Sequence, residues 1–212
     1  MDSSQVRVLT AYEDGVLAVE RYGARVGSAS KWDSLACGHW TAADLAGHLM
    51  IAVRWYNENL DRAERGDARP RVTFKELDHA NDVAVAELPK ERDAGPVRLR
   101  AYAESARAYA QRIPKAWDLP YGFPGGTVTV GLHAGVAALE YHVHAWDLAR
   151  VVGEQHRPAD PAIILRCAAA ALASGQAPGP LKPVLRRVIP AVAGTERRPW
   201  EAILKRMGRI GT

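Results

Sequence analysis

Residues 40–65 read WTAADLAGHLMIAVRWYNENLDRAER, and this stretch decides the fold. Thr41 stands where a helix cap belongs. Its hydroxyl can accept the N–H of the third helical residue, which is Asp44, and the Asp44 carboxylate can reach back to the cap. Trp40 before the cap and Leu45 at the fourth helical position suit a hydrophobic staple. The pattern predicts a helix running to about Arg65 and stopping at Gly66.

Working outward, Val8, Leu9, Tyr12, Val16, Leu17 and Val19 recur at three and four, which predicts a first helix over about Gln5–Val26. Gly27–Trp40 reads as a loop. A short helix is expected over about Thr73–Ala86 and a longer one over about Pro96–Ile113, ending before Pro114. Pro120, Gly122, Pro124, Gly125 and Gly126 break any helix, and Thr127-Val128-Thr129-Val130 favours strand, so a loop or small hairpin is expected there. Within it, 118–127 is a candidate pocket lid. A helix should follow over about Leu132–Val152, closed by Gly153, and another over about Pro161–Ser174. The Pro-rich segment 175–198 reads as irregular, with a last short helix at about Trp200–Met207. The sum is an all-α bundle of four main helices. Residues 1–158 form the bundle, and 159–212 a C-terminal helical extension with a basic tail.

The chain has 212 residues, 48% apolar and 25% charged, which suits a soluble globular protein and excludes disordered and fibrous classes. Cys37 and Cys167 are the two cysteines, too few for a disulfide framework. The first 30 residues carry Asp2, Glu13, Asp14 and Glu20 in an amphipathic pattern, unlike a secretory leader. No apolar run is long enough to span a bilayer. A cytoplasmic protein with no membrane partner is expected. The net charge is +4, but it is uneven: residues 182–212 carry +6, and the rest sum to −2. No basic stripe runs along the body, so nucleic acid is not the expected partner.

Among the seven histidines, helical placement selects. Glu140 and His144 are four apart and share a face with Val136, Ala137 and Leu148. His48 has Leu45, Ile51 and Ala52 at three and four, so it too faces inward, with Asp44 and Trp55 on roughly the same side. Inward carboxylate and imidazole groups on facing helices are how bundles build metal sites. His, Glu and His leave one position open in a catalytic zinc site. Nickel, iron and manganese accept the same donors. The bland alternatives are a satisfied core histidine and an ordinary helix-surface Glu–His pair. His133, seven before Glu140, shares its face and is placed at the pocket rim. His142 points elsewhere, and His39, His79 and His156 read as surface residues. Asp147, one turn beyond His144, is either an orienting partner for a ligand imidazole or a helix-end group. Cys37 reads as a small buried residue more than as a reactive thiol.

Two segments carry a resemblance. CGHWTAADLAGHL (37–49) and LEYHVHAWDLAR (139–150) are similar to the paired signatures of the mycothiol-dependent maleylpyruvate isomerase group within the DinB-like superfamily, and the ending WEAILKRMGR resembles the group's close. The resemblance implies a DinB-like four-helix bundle. It implies a divalent metal, usually zinc, on His48, Glu140 and His144, and mycothiol as the thiol cosubstrate. Two departures stand out. His39 occupies the position before Trp40 where the group commonly has Gly, with Gly38 displaced by one. The group's characterised isomerases also carry a longer C-terminal domain that supplies a catalytic Arg. No motif selects its counterpart among Arg197, Arg198, Arg206 and Arg209.

The expected chemistry is therefore activation of a small thiol for transfer to, or isomerisation of, a small electrophilic substrate. The alternatives are a non-catalytic bundle that binds a small molecule or metal and, third, an anionic partner on the basic tail. The oligomeric state stays open, a homodimer included.

Overall fold

Thr41 does cap the central helix. Its Oγ1 accepts from Asp44 N at 3.1 Å, and Asp44 Oδ2 accepts from Thr41 N at 3.2 Å. The helix so started, α3, spans Ala42–Glu64. Its C-terminal turn is followed by Gly66 at φ +80°, a left-handed conformation that glycine adopts without strain. The computed structural model describes residues 1–91, 93–124, 126–166, 199–206 and 209–210.

The first helix, α1, covers Ser3–Val26 and starts two residues earlier than its apolar pattern. Asp2 and Gln5 form a capping box there, a polar signal invisible to apolar periodicity. The stretch expected as a loop contains a short helix, α2 (Ala29–Trp32), and a small antiparallel pair, β1 (Leu35–Cys37) with β2 (Trp40–Thr41). Trp32 organises it, burying its ring over Gly95, where an added Cβ would overlap the indole.

Next come α4 (Phe74–Ala86) and α5 (Ala94–Ala116). The latter passes through Pro114 rather than ending before it. Proline in the last turn loses one backbone bond, and the buried Ile113 and Ala116 hold that turn against the core. β3 (Pro120–Phe123) pairs antiparallel with β4 (Gly126–Thr129), giving a hairpin whose Tyr121 and Phe123 are buried. Segment 118–127 is thus largely a packed hairpin. Thr129 then caps α6 (Val130–Val151). Residues 161–166 are helical, and a last helix, α7, spans Pro199–Arg206. The rest of the helix expected to reach Ser174, the irregular 175–198, Cys167, Arg197 and Arg198 lie outside the described residues.

The molecule is an all-α four-helix bundle. α1 packs along α6, α3 along α5, and α1 touches α5. α3 and α6 also face each other, and the side chains of His48 and Glu140 meet across that seam. Ile163, Ile164, Leu165, Trp200, Ile203 and Leu204 join the same core. No helix among the described residues is long and apolar enough to cross a membrane.

Candidate metal centre

The seam between α3 and α6 brings His48, Glu140 and His144 together. One donor atom from each lies within 4.8 Å of the others. His48 Nε2 is 3.1 Å from Glu140 Oε1, and the two imidazole rings are 5.2 Å apart at 78°. Donors around an ion bound at about 2.1 Å sit roughly 3–4 Å apart, so the spacing suits a small divalent cation. The His48 Nδ1 is buried and has no partner among the described residues. Its Nε2 meets the Glu140 carboxylate. Burying an imidazole so sparsely bonded is costly, and a cation shared with Glu140 and His144 would offset that cost.

Glu140 is ionised. Burial by itself would raise its pKa, but the His48 hydrogen bond, the nearby His48 and His144 rings and the Tyr56 hydroxyl hold it at about 2. Tyr56 donates its O–H to Glu140 Oε2. Burial, and then the adjacent carboxylate, push the Tyr56 phenol well above its ordinary range, so it is a fixed neutral donor. The Glu140 side chain is 22% exposed, against 9% for His48 and 10% for His144, so it is the least buried of the three.

Asp147 is 1% exposed and lies 3.1 Å from His144 Nδ1. An ionised carboxylate can only accept, so His144 Nδ1 is the donor, which leaves Nε2 as the ring nitrogen available to an ion. Burial works against the charged Asp147, but His144 and Arg209 outweigh it and keep its pKa low. Arg209 reaches Asp147 with Nε to Oδ1 and a terminal nitrogen to Oδ2, both at 3.2 Å.

Of the other residues singled out in the sequence, Asp44 stays with the α3 cap. Its Oδ2 also accepts the Thr41 hydroxyl at 2.8 Å, and its Oδ1 meets Lys90 at 3.2 Å. Trp55 is half-buried, its ring 6.0 Å from that of Tyr56. His133, expected at the rim, is 1% exposed. It stacks on Tyr121 at 4.3 Å, bonds the Tyr109 hydroxyl through Nδ1 at 2.7 Å, and has Tyr56 and Phe123 against its edges. The hairpin covers it, which the pattern on its own helix does not reveal. His156, read as a surface residue, is buried for a similar reason: Trp200 of α7 closes over it and donates to its carbonyl at 3.0 Å. Its ring stacks on His142, which bonds the Ala11 carbonyl on the α1 side.

Sequence reasoning missed Trp40 and Tyr56 as neighbours of the group. The Trp40 ring lies 4.7 Å from His48 at 33°. Tyr56 is eight residues after His48 and Trp55 seven. One residue turns the side chain by about 100°, and that difference decides which ring meets Glu140.

A second set, Cys37, His144 and Asp147, also lies within 4.8 Å. There the Arg209 guanidinium sits 3.0 Å from Cys37 Sγ, so a cation is already in place. Burial, and then Asp147, push the Cys37 thiol up to about 11, away from the thiolate a metal needs.

A family model described as the mycothiol maleylpyruvate isomerase N-terminal domain matches residues 19–149, which include all of α3, α5 and His48, Glu140 and His144. No curated protein and no solved structure matches the chain. With its bundle fold and most of its length covered by that match, the chain belongs to the mycothiol maleylpyruvate isomerase N-terminal domain family.

Proposed function

We propose that the protein is a metal-dependent enzyme that activates a low-molecular-weight thiol, mycothiol, for addition to or transfer onto a small electrophilic substrate. One observation carries the reading: two imidazoles and an ionised carboxylate from facing helices converge in a largely buried seam, with the glutamate its least buried member. Family membership supplies the thiol. Zinc is the proposed ion, with nickel and iron compatible with the same donors.

A bound divalent ion supplies the positive charge that lets a thiol sit as its thiolate at neutral pH. The chain's own residues do the rest. His48, Glu140 and His144 provide the donors and leave a position for the thiol sulfur. Tyr56 fixes one Glu140 oxygen, leaving the other toward the histidines. Asp147 sets the His144 tautomer. Trp40 covers the His48 ring and limits water there. The thiol and electrophile approach on the side where Glu140 is exposed. Adding the thiolate to a conjugated acid, rotating the resulting single bond and expelling the thiolate isomerises the double bond. Displacing a leaving group instead gives transfer.

The test is metal analysis of the purified protein together with an assay that varies mycothiol against an electrophilic probe. Stoichiometric divalent metal and thiol-dependent turnover, both lost in His48→Ala, are expected. A metal-free protein whose activity ignores the thiol and survives His48→Ala would overturn the reading.

A further inference from the structure

We propose that Arg209 is a positioning residue for both imidazoles of the centre; this rests on reading His48, Glu140 and His144 as metal ligands. The guanidinium reaches three atoms of two side chains. Its Nε and one terminal nitrogen fork onto the two Asp147 oxygens at 3.2 Å. The same terminal nitrogen lies 3.0 Å from Cys37 Sγ.

Each contact leads to a different histidine. Asp147 Oδ2 also accepts from His144 Nδ1 at 3.1 Å. A two-point fork fixes the plane of a carboxylate, and the plane of this carboxylate fixes the direction of the His144 ring. Without the fork, Asp147 is a buried anion that keeps only His144 and the weak Cys37 thiol among the described residues, which leaves its plane less firmly set. The other contact runs through the strand pair. Cys37 lies opposite Trp40 in the β1–β2 register, and the Trp40 ring lies tilted against His48 at 4.7 Å. Arg209 thereby ties the turn that covers His48 to the helix that carries His144.

Arg209 is held in its own right. Its backbone N–H bonds the Leu204 carbonyl at 2.8 Å beyond α7, and Ile210 packs on the core. Its charge faces the buried Asp147, which stabilises the guanidinium despite burial. The basic tail noted in the sequence thus contributes one cation to the back of the centre. It touches the carboxylate behind a ligand, and so acts through His144.

The experiment is a Zn2+ titration of the metal-stripped full chain against a chromophoric chelator, with Co2+ absorption spectra alongside. It compares wild type, His48→Ala, Arg209→Gln, Arg209→Lys, Asp147→Asn and, as a surface control, Arg7→Gln. Arg209→Gln is expected to weaken Zn2+ binding about 10–100-fold and to shift the Co2+ visible bands while the far-UV spectrum stays helical. Arg209→Lys should lose less, because an ammonium keeps the charge but not the fork. Arg7→Gln should match wild type. Arg209→Gln binding Zn2+ within twofold of wild type, with unchanged Co2+ bands, overturns the positioning role and leaves the metal reading intact. Wild type and His48→Ala binding equally overturns the metal reading, and the role of Arg209 falls with it. If Arg209→Gln does not fold, Arg209→Lys and Asp147→Asn decide, since unchanged affinity in both is equally fatal.

Discussion

The Trp40 ring lies over His48 at 4.7 Å between centroids, tilted by 33°, so the residue just before the α3 cap covers a ring two turns inside the helix. Aromatic pairs of this kind contribute about 0.5–1.5 kcal/mol beyond the area they bury. Trp40→Ala should therefore weaken divalent metal binding by up to about tenfold, and Trp40→Phe by less. Isothermal titration with Zn2+ checks this, and equal affinity in all three proteins would contradict it.

Glu140 is the anionic member of the group. Glu140→Gln keeps the size and removes the charge, so Zn2+ should no longer raise the melting temperature. In wild type, a ligand at 100 times its Kd adds about 2.7 kcal/mol to stability. Thermal melts with and without metal distinguish the two, and a metal-dependent shift retained in Glu140→Gln would count against this ligand assignment.

Tyr56 donates to that carboxylate from a buried position. Hydrogen bonds to charged groups contribute about 1.5–3 kcal/mol. Tyr56→Phe should lower metal-free stability by about that amount in denaturant titration. It should also weaken metal binding, since Glu140 loses the donor that fixes its second oxygen. A variant as stable as wild type would show the bond to be energetically idle.

Acid should destabilise the fold before its carboxylates titrate. Burial pushes His133 down to about 3, whereas an unfolded histidine titrates near about 6.5. Between those values the unfolded chain binds the extra proton, so stability is full above about pH 6.5 and declines as pH falls toward 3. One such group costs about 1.4 kcal/mol per pH unit, or about 2 kcal/mol at pH 5. His142 and His156 are pushed down to about 4 and about 3 by the same burial, which adds to the slope. Urea titrations at pH 7.5 and 5 measure it. His133→Phe should flatten the slope, and an unchanged slope would remove His133 from the account.

Gly131 sits at the start of α6, and a Cβ there would overlap the Trp117 ring. Its N–H bonds the Trp117 carbonyl at 2.9 Å, so neither partner can withdraw easily. Gly131→Ala should cost about 1–3 kcal/mol through overpacking, read as a lower urea midpoint with an unchanged m-value.

The four main helices and the α3 cap were legible because helix periodicity and capping are local chemistry. So were the ends at Gly66 and Gly153, both at positive φ. The inward faces of His48, Glu140 and His144 followed from spacing on their own helices. Their meeting did not, because it depends on how α3 and α6 pack. Tyr56 was missed in favour of Trp55 because a one-residue rotation cannot be read without the partner helix. His156 and His133 looked accessible because what covers each lies elsewhere in the chain: α7 over one, the β3–β4 hairpin over the other. Among the arginines of the tail, nothing local distinguished Arg209; only the fold sets it behind Asp147.

All four bundle helices build the core, but the groups that flank the donors do not all come from them. α1 and α5 bring none of the three donors, and their apolar stripes are committed to the interior. The donors sit on α3 and α6, and Trp40 and Arg209 come from short connecting and terminal pieces. On the proposed reading, the short pieces around the donors can vary while the packed helices that keep the chain folded stay as they are. Exposed residues of those short pieces can be exchanged for others of different shape and charge while the interior is left as it is. A library confined to exposed positions of the short connections should therefore yield mostly folded variants with altered substrate preference.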